Sequence, residues 1–186
     1  MSNVASGPPP RVAPQVYDAI RALLRADKND EAIVKLCAIA VILPDDLDTK
    51  ELLFDAFFQK RDWLPALALA EELVRRRPDI ARLQKALVAT LSNMKRYDEA
   101  IVKASQYIER HGEEITILDA LKVANFNTGK VDEAIRYGQR GIELRDAEAA
   151  KIPRTMFMME PRGQPSGDHV ISFSLWGPAP FYGSGA

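Results

Sequence analysis

The sequence predicts an all-α domain built from four stacked helix pairs, and three observations carry that expectation. Alanines recur at Ala32, Ala66, Ala100 and Ala134, in steps of 34 residues with no insertion. Their surroundings match as well: Asn29-Asp30-Glu31-Ala32-Ile33-Val34, Trp63-Leu64-Pro65-Ala66-Leu67-Ala68, Tyr97-Asp98-Glu99-Ala100-Ile101-Val102 and Val131-Asp132-Glu133-Ala134-Ile135-Arg136. Twelve positions after each alanine stand Pro44, Pro78, Gly112 and Asp146. Self-similarity at a fixed period of this length is the signature of a repeat architecture. Pro lacks the amide hydrogen and clashes with the preceding turn, while Gly accepts a left-handed cap, so the first three tails stop a helix.

Each unit opens with one helix and closes with another. Val16, Ile20 and Leu23 form the first apolar stripe, and Leu53, Phe54 and Phe57 the second. Leu83, Leu87, Val88 and Leu91 make a third, and Ile117, Leu118 and Leu121 a fourth. In the second helix of unit three, Ala100, Ile101, Ala104 and Ile108 repeat near a period of 3.6. Asp30, Asp98 and Asp132 are expected at or beside the caps that open these helices, where a carboxylate meets free N–H groups and the positive dipole end. Pro65 is tolerated in a first turn, and Arg75, Arg76 and Arg77 suit the negative end of their helix. One helix pair cannot bury its apolar face alone; stacked pairs can. The units are expected near 13–46, 47–80, 81–114 and 115–148, after a disordered segment at 1–12.

Composition excludes several function classes. The 186 residues carry 25 Lys+Arg against 26 Asp+Glu, a net charge of -1, which leaves no footprint for nucleic acid or an anionic membrane. Three consecutive arginines are too small a patch to change that. Cys37, His111 and His169 do not make a zinc site or a disulfide framework, and no cofactor is expected. Cys37 lies between Leu36 and Ala38 on a stretch read as core-facing, so a buried, inert thiol is expected. There is no secretory or myristoylation pattern at the start and no apolar run long enough to span a bilayer, so the expected location is cytoplasmic. No histidine pairs with Ser, Cys or Asp at a recognisable spacing, and no Gly-rich loop joins a strand to a helix; no catalysis is expected.

The 34-residue period, the second-helix alanines, the aromatics Trp63 and Tyr97 and the terminal prolines Pro44 and Pro78 resemble the tetratricopeptide repeat family. The resemblance implies a right-handed superhelix whose first helices line a concave groove that holds a peptide or protein partner. Carried onto this sequence, the groove is Tyr17, Arg21 and Arg25 in unit one and Glu51, Asp55 and Phe58 in unit two. Unit three contributes Arg82, Lys85 and Asn93, and unit four Asp119, Phe126 and Asn127. Members that bind chaperone C-termini of the EEVD type use a carboxylate clamp. Tyr17, Arg21, Leu52 and Ala86 replace clamp residues here, which argues against that partner. The sequence also departs from the family where the first helix normally carries Gly or Ala: here stand Ile20, Phe54, Val88 and Lys122, which implies wider or shifted packing. Gly138 and Gly141, each costing about 1 kcal/mol inside a helix, predict that unit four is the weakest or most distorted.

Other readings stand beside the groove. Charges alternating between neighbouring helices are also what a solvated face with inter-helix ion pairs requires. Tyr17, Phe58 and Phe126 are either core or groove anchors. Residues 151–186 hold ten prolines and glycines, which excludes a further helix pair; Met156-Phe157-Met158-Met159 reads as a cap for the end of the array. Asp168 to Trp176 reads as one strand, and the run from His169 to Gly177 with Pro180, Tyr182, Gly183 and Ala186 resembles the opening of a bacterial glycosyltransferase-like domain, the start of a truncated second domain. The competing reading is a natural tail, disordered or docked on the array. Three functions follow: a non-catalytic interaction scaffold, an accessory region of a sugar-transferring protein, and a self-assembling homodimer module.

Overall fold

The computed structural model describes residues 12–151, and these are all-α: eight helices and no strand. They are α1 (Pro14–Arg25), α2 (Asn29–Ile42), α3 (Leu47–Gln59), α4 (Trp63–Arg76), α5 (Ala81–Asn93), α6 (Tyr97–His111), α7 (Ile115–Asn127) and α8 (Val131–Ala150). The four expected helix pairs are present. The segment at 1–11, the Met156–Met159 cap and the strand with its glycosyltransferase-like resemblance lie outside the described residues.

Every helix packs on the one before it and the one after it. First helices also meet each other, α1 with α3 and α5 with α7, and no comparable contact joins successive second helices. At those two junctions the first helices therefore lie closer together than the second helices do. The alanines that set the period lie where each second helix crosses its neighbours: Ala32 and Ala66 are 0% exposed, Ala100 1% and Ala134 5%. Any larger side chain there would push two helices apart, which is why the position repeats without change.

In units two to four the larger first-helix residue is matched by a small one across the pair, whereas in unit one Ile20 packs with the equally large Leu36. Sixteen positions after Phe54, Val88 and Lys122 stand Ala70, Ala104 and Gly138. Phe54 and Ala70 share one core cluster, and Val88 and Ala104 share another. A Cβ built on Gly138 would lie 3.4 Å from Lys122 Cδ, so this glycine is where the lysine stem crosses α8. The expected distortion of unit four is not seen: α8 runs unbroken through Gly138 and Gly141 for 20 residues.

The turn inside each unit is the same motif four times. Asp27, Arg61, Lys95 and Gly129, spaced by 34, all adopt positive φ, between 56° and 80°. The next residue's N–H reaches back to Leu23, Phe57, Leu91 and Asn125 carbonyls at 2.9–3.0 Å, and the positive-φ residue bonds Leu24, Phe58, Ser92 and Phe126. This is the Schellman cap, which satisfies the last carbonyls of the first helix and reverses the chain. Only the fourth unit places glycine there.

Two local expectations are corrected. Asp30, Asp98 and Asp132 are not the cap residues themselves; the caps are Lys28, Arg96 and Lys130, and the aspartates sit in the first turn, two residues after each cap, facing the dipole. Cys37 is exposed rather than buried. Apolar residues run around nearly the whole of α2, so the neighbours of Cys37 do not mark an inside face; Ala32 and Leu36 point inward, and Cys37 lies about 100° further round.

Candidate peptide-binding face

The groove candidates project from the first helices, and the structure divides them into three groups. The first is structural. Tyr17 is 7% exposed; its hydroxyl donates to Asp46 Oδ2 and lies 2.9 Å from Thr49 Oγ1, joining α1 to the start of α3. Burial, then Asp46, pushes the phenol up to about 12. Phe58 is half-buried against Phe54, with ring centroids 5.5 Å apart, and meets Trp63 edge-on at 5.3 Å. Both aromatics are core residues, so neither is a free groove anchor.

A second group is committed to ion pairs between or within units. Glu51 accepts from Arg77 at 3.3 Å and from Arg82, tying unit two to unit three. Lys85 meets Glu114 at 2.7 Å, and Tyr107 donates to the same carboxylate at 2.5 Å. Lys85 and then Tyr107 hold the Glu114 carboxyl below its usual range. Asp119 pairs with Lys122 at 2.7 Å and Arg145 at 3.3 Å. For these four groove candidates, Glu51, Arg82, Lys85 and Asp119, the inter-helix ion-pair reading holds.

Among the remaining candidates, three converge. Arg21, Arg25 and Asp55 line one open pocket of about 340 Å³ between α1 and α3, with Leu24, Leu52 and Gln59. Arg21 pairs with Asp18 at 3.1 Å and lies over the Tyr17 ring at 6.0 Å. Arg25 Nε donates to the Arg21 carbonyl at 3.2 Å, and its guanidinium meets no carboxylate among the described residues. Asp55 is half-buried with no hydrogen bond or ion pair among the described residues; burial pushes its carboxyl above the usual range. The pocket is thus lined by two leucines, two guanidiniums and a carboxylate that makes no ion pair among the described residues. Asn93 and Asn127 are spent on the Ala89 and Val123 carbonyls of their own helices, at 2.9 and 2.8 Å. Phe126 is 66% exposed at the far end of the array.

The same arrangement of helix pairs occurs in solved structures. MamA AMB-1, in its P212121 crystal form, superposes with a TM-score of 0.65 at 20% identity, covering 75% of this chain and 78% of that one. MamA MSR-1 gives 0.67 at 19%, covering 72% and 76%. A MamA fragment from Desulfovibrio magneticus RS-1 gives 0.67 at 17%, covering 71% and 75%. The fold is a tetratricopeptide-type helical repeat. No protein-family model matches the sequence, and no curated protein matches it. At these identities the likeness establishes the repeat fold and leaves the groove chemistry to this chain's own residues. Among the described residues, no group of three or more His, Cys, Asp or Glu could hold a metal ion, and no helix is long and apolar enough to cross a membrane.

Sequence reading missed two parts of this face. Asp46 was not marked, although its place before Leu47, three residues ahead of Thr49, is a cap spacing. Its side chain accepts from Thr49 N at 2.8 Å as well as from Tyr17. Gln59, which completes the pocket beside Leu52, carries no signal of its own.

Proposed function

We propose that this chain is a non-catalytic interaction scaffold that holds an extended segment of a partner protein along its first-helix layer, anchored in the pocket between α1 and α3. The observation that carries the reading is Asp55. A half-buried carboxylate without a partner is destabilising as it stands, and a cationic group entering the pocket would complete it. Arg21 and Arg25 in the same pocket call for an acidic residue nearby, and Leu24 and Leu52 supply the apolar lining. The segment that fits thus carries a Lys or Arg next to an Asp or Glu, with an aliphatic stem between.

A peptide array that varies charge position by position tests this on the full-length chain. Preference for a basic residue should vanish with Asp55→Asn and turn to an acidic one with Asp55→Arg. A charge-assisted contact of this kind is worth about 1.5–3 kcal/mol, roughly ten- to a hundredfold in affinity. Identical peptide preferences in wild type and both variants would overturn the assignment.

A further inference from the structure

Among the described residues, the C-terminal face of unit four is an unfilled stacking surface. Ile33, Leu67 and Ile101 are equivalent by the 34-residue period, and each is packed into a core cluster. The fourth member of that series, Ile135, is 53% exposed. Ala40, Val74 and Ile108 are likewise packed, whereas their equivalent Ile142 is 56% exposed. Phe58 lies against the unit-two core beside α5; its distant equivalent, Phe126, is 66% exposed. In the first three units these side chains are covered by the first helix of the unit that follows. At unit four no described helix covers the same face, and Val131, at 48%, adjoins it.

The opposite end of the array presents a helix of the kind that face receives. Val12, Val16, Ala19 and Leu23 follow one another at intervals of four, three and four along α1. In units two to four the corresponding helix stripe includes Leu53 and Phe57, Leu87 and Leu91, and Leu121, all seated in inter-unit cores. In α1 nothing precedes it among the described residues: Val16 is 41% exposed and Ala19 is exposed. Gln15 is the one polar interruption, at a position held elsewhere by the buried Thr49, Leu83 and Ile117.

Charge agrees with that pairing. At the junction of units three and four, Asp98 meets Lys130 at 3.9 Å, and at the junction of units one and two Asp30 meets Lys60. Moved on by one period, Asp98 becomes Asp132, and the unit-one counterpart of Lys130 is Lys28. Asp132 and Lys28 are both exposed and both without an ion partner. The two ends of the array hold complementary halves of an interaction already made inside it.

We infer that a second copy of this chain occupies the open face, seating its α1 on the α7–α8 end of the first, with Lys28 of one copy beside Asp132 of the other. The contact is heterologous: each copy offers one used and one free end, so association continues past the dimer rather than closing on it. Gln15 and the small Ala19 keep the interface modest. The inference is independent of the pocket on the first-helix layer.

Sedimentation equilibrium of the full-length chain, between about 10 μM and 1 mM where weak association becomes visible, tests it. The average mass should climb above 20.7 kDa with concentration and show no plateau at twice that value. Phe126→Asp, at an exposed site, should abolish the climb while leaving the helical circular dichroism unchanged. Lys28→Asp or Asp132→Lys alone should weaken association about two- to fivefold, the range of an exposed ion pair. The double variant should return to within about twofold of wild type, since the pair is merely reversed. A monomer at every concentration, a plateau at two copies, or a double variant no better than either single one would overturn the inference.

Discussion

Tyr17 donates its hydroxyl hydrogen to Asp46 across the first inter-unit junction, and the same carboxylate caps α3 through Thr49 N. One side chain thus closes two structural debts: the free amide at the start of α3 and the buried phenol of α1. Glu114, at the matching position two units on, accepts from Tyr107 and Lys85 but makes no side-chain cap bond to α7. At the first and third junctions a carboxylate at the helix start is thus reached by a tyrosine of the preceding unit, while at the second that position is Ile80.

Removing the Tyr17 hydroxyl should therefore cost stability without opening a cavity. Tyr17→Phe is expected to lower the unfolding free energy by about 1–2 kcal/mol, and Asp46→Ala by about 1–3, since it removes the cap as well. Urea titration followed by circular dichroism measures both.

The pH dependence follows from Asp46. Burial pushes its carboxyl up, but the hydrogen bonds from Thr49 and Tyr17 outweigh that and leave it below the ordinary 3.8. Its contribution is complete above pH 3.8 and is lost as pH falls through the lower folded value. Asp55 works in the opposite sense. Its folded value is raised, so the folded state holds the proton more tightly and stability falls as pH rises from 3.8 through that value. Asp55→Asn should raise the thermal midpoint at neutral pH and flatten this part of the profile. A lower midpoint in that variant would contradict the account of Asp55.

The four Schellman turns make a prediction of opposite sign at two equivalent positions. Lys95, at φ 59°, pays for a left-handed conformation that glycine adopts without a steric penalty. Lys95→Gly should stabilise by up to about 1 kcal/mol, and Gly129→Ala should destabilise by about 1. Thermal unfolding of the two variants separates them by direction alone.

Cys37 should react with a thiol reagent in the native state at a rate close to that of the unfolded chain, because its side chain lies on the outer side of α2. Ala100→Leu, by contrast, should destabilise by about 1–3 kcal/mol through overpacking at a crossing only 1% exposed.

The helix pairs were legible because burial at a crossing tolerates one residue size, and Ala32, Ala66, Ala100 and Ala134 record it at a constant interval. The turns were less legible: Asp27, Arg61 and Lys95 adopt the conformation that only Gly129 advertises. The site was legible by helix face and not by partner. Arg82 and Asp55 sit on the same layer and look alike as letters, yet Arg82 is spent on Glu51 while Asp55 has no such neighbour. That difference depends on which side chains meet across a junction about thirty residues apart in sequence, a quantity no periodicity carries. Cys37 was misjudged for a related reason: a helix apolar on all sides gives no phase to read.

The most direct measurement is a nitrogen-15 chemical-shift titration of the full-length chain with a peptide that pairs a lysine with a neighbouring glutamate. The account predicts shifts concentrated at Arg21, Arg25, Asp55 and Gln59, with Val34 and Val41 on α2 unmoved. Shifts centred on α2, or none along α1 and α3 at saturating peptide, would contradict it.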